Sequence, residues 1–140
     1  MKGNEETDVK NIDEVSEEIE SALTDPRGVL SHQKRLAFCL SEGIKKIIED
    51  YFIAQGVLKT GFKIDHRIFK KNKENVKKIL SNKITCSIEN LKKIDKLIEV
   101  AYEIESKRND LVYGNPSSED ILNKLINLYL NIKKEVEKNA

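Results

Sequence analysis

Proline occurs only twice and glycine six times among the 140 residues, so few positions interrupt a helix and glycine-built devices have little material. No glycine-rich phosphate loop, no nucleophile elbow and no HExxH occurs, and none of those three chemistries is expected. The two cysteines, Cys39 and Cys86, lie far apart in apolar stretches without a CxxC neighbour. They read as buried or partly buried thiols, not as a disulfide framework or a zinc site. His32 and His66 have no second histidine or cysteine at metal-site spacing, so neither metal nor cofactor is expected. The longest fully apolar stretches are a few residues, and the amino terminus MKGNEETDVKNIDEVSEE carries no signal-type run. No membrane span and no export are therefore expected, and the cytoplasm is the expected location. No segment alternates like a strand, and no internal repeat or low-complexity tract stands out.

What is present is charge and helix-forming aliphatic residues: 35% of the chain is charged and 39% apolar, with Lys, Glu, Ile and Leu abundant. Such a profile favours long helices with charged outer faces. One domain of this length buries a core of its own. The formal net charge is +1 but unevenly spread. Residues 1–20 hold eight acids against two lysines, whereas 57–83 hold nine bases against two acids. The first stretch repels a polyanion and the second attracts one.

Residues 1–10 are polar and read as a flexible terminus, leaving 11–140 as the domain. Ile12, Val15, Ile19, Ala22 and Leu23 recur at helical steps, and TDPRG ends that helix at Pro26 and Gly28. Val29, Leu36, Ala37, Leu40, Ile44, Ile47, Ile48 and Tyr51 mark a second helix, stopped by Gly56. After the connection GVLKTGFKID, Ile68, Phe69, Val76, Ile79 and Leu80 give a lysine-rich segment a narrow apolar stripe, read as one helix weakened by asparagine. Ser87 is the expected cap of a long helix carrying Ile88, Leu91, Ile94, Ile98, Ala101, Tyr102 and Ile104 and ending between Arg108 and Leu111. Gly114-Asn115-Pro116 breaks it, and a capping box of Ser117 and Asp120 opens the last helix, with Ile121, Leu122, Leu125, Ile126, Tyr129, Ile132 and Val136. The expected fold is all-α, an up-and-down bundle of four to five helices.

The turn before the last helix reads Glu105-Ser-Lys-Arg108-Asn109-Asp110-Leu-Val-Tyr113-Gly114. It resembles the signature of HEPN domains, helical bundles whose third major helix commonly ends in an arginine, a polar residue and a histidine five positions after the arginine. Arg108, Asn109, the apolar pair Leu111-Val112 and the helix that follows match the pattern. Tyr113 stands where the family's histidine would be. In arrangement the similarity spans roughly residues 29–137. It implies an HEPN-like bundle, a homodimer with two motifs facing across a cleft, and either metal-independent RNA cleavage or a non-catalytic role. Some members of the family serve as partners of small nucleotidyltransferases in toxin and antitoxin pairs.

Under that resemblance Arg108 holds phosphate through its planar fork of donors, Asn109 orients it, and Tyr113 occupies the place of the base. Metal-free cleavage needs a group that takes the 2′-hydroxyl proton, a role histidine fills because it titrates near neutrality. An unperturbed tyrosine, with a pKa of about 10, is a poor base. Losing base assistance of about 10² to 10⁴ in rate raises the barrier by about 3 to 5 kcal/mol. The expectation is weak endoribonuclease activity or none, unless another group substitutes.

Blander readings stand beside each assignment. Arg108 also reads as a helix-terminal cation paired with Glu105 or with the helix dipole. Tyr113 reads as a ring packed beneath the turn, and His66 as a solvated surface histidine. Arg27 and His32 repeat the arginine-to-histidine spacing at a helix start, a low-information match. The lysines of 57–83, among them Lys70, Lys71, Lys77 and Lys78, describe either a solvated helix face or a nucleic-acid footprint. Two other functions are thus open: a non-catalytic interaction module that partners a nucleotidyltransferase, and a nucleic-acid-binding helical protein that works through those lysines.

Overall fold

The periodic apolar residues form five α-helices in the computed structural model, which describes residues 12–59, 63–114 and 116–138. They are α1 (Ile12–Thr24), α2 (Gln33–Ala54), α3 (Lys73–Ser81), α4 (Ile94–Tyr113) and α5 (Glu119–Lys138), with short 3-10 turns at Val29–His32, His66–Lys70 and Ile88–Asn90. The chain is an all-helical bundle, as its composition leads one to expect. The stretch 1–10 lies outside the described residues, as does Asn115 of the helix-breaking tripeptide.

The antiparallel pair α2 and α4 is the centre of the molecule. At one end the Lys93 amide donates to the Tyr51 hydroxyl at 3.2 Å, and at the other the Gln33 side chain donates to the Leu111 carbonyl at 2.9 Å. Between them Leu36, Leu40, Ile44, Ile48 and Phe52 of α2 meet Leu97, Ala101 and Ile104 of α4, and Leu122, Leu125 and Tyr129 of α5 close the core. Each aliphatic or phenylalanine side chain fully removed from water contributes about 1.5 to 3 kcal/mol, which dwarfs the surface ion pairs as a source of cohesion. Gly43 of α2 lies against the Tyr129 ring, so closely that a Cβ there would stand 2.8 Å from Cε1.

Local chemistry sets the boundaries. Gly56, at φ +71°, ends α2 in a Schellman arrangement: its amide bonds the Ile53 carbonyl and the Val57 amide bonds the Phe52 carbonyl. Gly28, at φ +94°, turns the chain after Pro26. Four expectations are corrected. The lysine-rich segment is not one helix, because Lys71 and Asn72 are extended and the Asn72 side chain accepts from the Asn75 amide at 2.9 Å, capping a separate α3. Ser87 makes no side-chain cap; it precedes the turn Ile88–Asn90, and α4 starts at Ile94 and runs on to Tyr113. At α5 the Ser118 hydroxyl, not that of Ser117, accepts from the Ile121 amide at 3.2 Å. An isolated antiparallel bridge, Leu58 with Ile84, ties the α2–α3 connection to the segment after α3, which no alternation announced.

Candidate functional site

Tyr102, Asn109 and Tyr113 recur at steps of seven and four and share one outward stripe of α4, while Arg108 is rotated by about 100° from Asn109. The structure therefore separates the three motif residues. Arg108 turns toward α2, where its guanidinium lies over the Phe38 ring at 5.9 Å from the centroid. Its Nε is buried without a hydrogen-bond partner, and it makes no ion pair among the described residues. The pairing with Glu105 is not formed. Tyr113 is 81% exposed, so the ring does not pack beneath the turn. Asn109 is exposed.

The turn itself is held from α2. The buried Gln33 side chain donates to the Leu111 carbonyl and accepts from the Ser117 amide at 2.7 Å, bridging the end of α4 and the approach to α5. Gly114 is needed where it stands, because a Cβ would lie 2.5 Å from the Asp110 carbonyl oxygen, with which its own amide bonds at 2.7 Å.

Glu105, one turn before Arg108, takes up a different role from the one its sequence position suggests. It is 1% exposed, and its carboxylate accepts from the Ser41 hydroxyl at 2.8 Å and bonds Nδ1 of His66. A buried carboxylate is costly unless donors satisfy it, and these two donors do so. His66 is placed by the 3-10 turn that Asp65 caps: the Asp65 carboxylate accepts from the Arg67 amide at 2.9 Å and from the Arg67 guanidinium at 2.6 Å. Those bonds hold the Asp65 carboxyl well below the usual range. His66 is thus not a solvated surface histidine. Its side chain is 23% exposed, and Nε2 has no partner among the described residues. Sequence reasoning missed this pair, since residues 66 and 105 belong to no common motif; the available signal was a carboxylate on the apolar side of α4, at step four after Ala101.

A cleft of 840 Å³ lies across the outer face of α4. Lys70, Lys71 and Lys73 form one wall, Lys124 and Leu128 of α5 the other, and Lys96, Glu99, Tyr102 and Glu103 project from α4 between them. Five lysines face two glutamates. Three of the lysines are engaged: Lys73 with Glu99 at 3.2 Å, Lys96 with Glu135 at 3.1 Å and Lys124 with Glu103 at 3.8 Å. Lys70 and Lys71 are exposed and make no ion pair among the described residues. Of the other expected basic residues, Lys77 is drawn into ion pairs with Asp95 at 2.8 Å and Glu89 at 3.5 Å, which raise its pKa, and Lys78 is exposed outside the cleft lining. The cleft is a subset of the basic stretch, completed by lysines from α4 and α5 that the sequence alone did not connect to it.

Comparison with protein-family models, with curated proteins and with solved structures finds no match to this chain. Its functional reading rests on the arrangement just described.

The second histidine belongs elsewhere. His32 bonds Glu18 through Nδ1 at 2.8 Å and Asp25 through Nε2 at 2.9 Å, joining α1 to the start of α2. Glu18, then Asp25, raises its pKa. Both ring nitrogens are committed to carboxylates, so the Arg27–His32 spacing describes a structural staple. Among the described residues no group of three histidine, cysteine or acidic side chains is arranged to hold a metal ion, and no helix is long and apolar enough to cross a membrane.

Proposed function

We propose that this is an HEPN-like RNA-binding protein that holds single-stranded RNA in the lysine cleft across α4. The observation that carries the reading is the cleft itself: 840 Å³ lined by five lysines from four segments, with Lys70 and Lys71 unpaired among the described residues. Tyr102, 45% exposed between the two walls, supplies a ring face on which a base can stack. Lysines engage phosphates as point charges, and the groove has no array of side-chain amides to read base edges, so the binding is expected to be weakly sequence-selective. Asn109 continues the Tyr102 stripe of α4 beyond the cleft, while Arg108, the phosphate holder under the resemblance to HEPN domains, lies over Phe38 on the α2 side.

The test is fluorescence anisotropy of a labelled single-stranded RNA across a salt series, for wild type and for Lys70→Glu with Lys71→Glu. The expected result is affinity that falls with salt in wild type and a loss of at least about tenfold in the variant. Its salt slope is expected to be shallower by about 1.4, at about 0.7 per single-strand phosphate contact. Absence of binding in wild type, or binding indifferent to both salt and the double substitution, contradicts the reading.

A further inference from the structure

Between the lysine walls of the cleft stand two carboxylates that a groove tracking phosphates alone does not need. Glu99 and Glu103 both project from α4, Glu99 paired with Lys73 at 3.2 Å and Glu103 with Lys124 at 3.8 Å. Each repels a polyanion, so their place in the cleft calls for a ligand group that donates hydrogen bonds. Glu99 is the better placed of the two toward the exposed Tyr102 ring. It stands three residues before Tyr102 and lies next to it on the helix surface, whereas Glu103, one residue after, is turned away by about 100°. Long side chains on a helix also lean toward its N-terminus, which sets the Tyr102 ring over the turn that carries Glu99. The Glu99 side chain is 64% exposed, and an exposed ion pair contributes little to the fold, so Lys73 can turn to a phosphate and release the carboxylate.

We propose that Glu99 makes the cleft selective for guanine at the position stacked on Tyr102. Such selectivity rests on single-stranded RNA occupying the cleft. An ionised carboxylate offers acceptors only, and guanine is the one RNA base whose Watson–Crick edge presents two adjacent donors, N1–H and the N2 amino group. The two oxygens of Glu99 accept both side by side, in charge-assisted hydrogen bonds. Adenine and cytosine each set an acceptor beside their amino group, and uracil flanks its single N3–H with two carbonyl oxygens, so each of the three brings a lone pair against the carboxylate. Lys73 keeps a charged partner throughout: it exchanges Glu99 for the phosphate beside the stacked base, while Glu99 exchanges an ammonium for two base donors. Away from that position the lysines hold the strand by charge and the Tyr102 ring accepts any base face, so selectivity is confined to a single nucleotide.

The experiment is fluorescence anisotropy at fixed salt with short oligouridine strands that carry one central guanosine, adenosine or inosine, or none, a single guanosine being unable to form guanine quartets within its strand. Wild type should bind the guanosine strand about tenfold more tightly than the adenosine or all-uridine strand. Inosine, which lacks the N2 amino group, should fall between them. In Glu99→Gln the side chain presents one donor and one acceptor, so guanosine should bind within about twofold of adenosine. The all-uridine strand should bind that variant no more weakly than wild type, because a repelling charge is gone; loss of a merely structural contact would weaken every strand alike. A guanosine preference that is absent in wild type, or that persists undiminished in Glu99→Gln, overturns the assignment to Glu99 and leaves the RNA reading in place. Failure of wild type to bind any of the strands overturns both.

Discussion

Glu105 of α4 and His66 of the 3-10 turn before α3 meet through the carboxylate and Nδ1 although they are 39 positions apart in the chain. That contact joins the most buried acid among the described residues to a partly buried imidazole on the turn that also carries Lys70. It also gives the pair a stability signature independent of any activity. Glu105→Ala leaves the Ser41 hydroxyl and the imidazole without their acceptor and opens a cavity, whereas Ser41→Ala removes one donor only. Urea unfolding should show a loss of about 2 to 4 kcal/mol for Glu105→Ala and about 1 kcal/mol for Ser41→Ala. Equal effects would mean that the His66 bond contributes nothing to the fold.

Gly43→Ala sets two magnitudes against each other. Alanine gains about 1 kcal/mol over glycine in a helix interior, but overpacking a close-packed core costs about 1 to 3 kcal/mol. The new methyl would stand 2.8 Å from Cε1 and 2.9 Å from the hydroxyl oxygen of Tyr129, a fully buried ring. Overpacking wins, and thermal unfolding should show a lower midpoint. A higher midpoint would mean that α5 moves aside freely.

The staple at His32 depends on pH. Its folded pKa is raised above 6.5 by Glu18 and then Asp25, so the stabilisation is complete below that value and is lost as pH rises through the folded one. The difference in melting temperature between wild type and His32→Gln should be largest near pH 6 and shrink toward alkaline pH. A difference that grows with pH contradicts the doubly bonded imidazolium.

Gln33 joins α2 to both sides of the α4–α5 turn through two hydrogen bonds. Gln33→Ala should cost about 1 to 3 kcal/mol and speed amide exchange at Ser117, whose partner it removes. Tyr113→Ala, on an 81% exposed side chain in the same turn, should change stability by less than about 0.5 kcal/mol.

The helices were legible because their apolar spacing is local: Val15, Ile19 and Ala22, or Leu36, Leu40 and Ile44, each lie on one face whatever the rest of the chain does. The split of the lysine-rich segment was not, because it turns on whether Asn72 caps or continues a helix, and Phe69 and Val76, seven residues apart, lie on one face in either case. For the site, Lys70 and Lys71 were readable as basic, and the structure adds that they share a cleft with Lys96 and Lys124. The roles of Glu105 and His66 depend on contacts across 39 positions, which no local pattern encodes. Arg108 and Asn109 were singled out as neighbours in sequence, yet adjacency on a helix is what sends them to different faces.

The most direct test of RNA in the α4 cleft is backbone amide NMR during titration with a short single-stranded RNA. Shifts concentrated at Lys70–Lys73, Lys96–Glu103 and Lys124–Leu128 are the predicted result. Saturable shifts confined to another surface, or none at all, would contradict it.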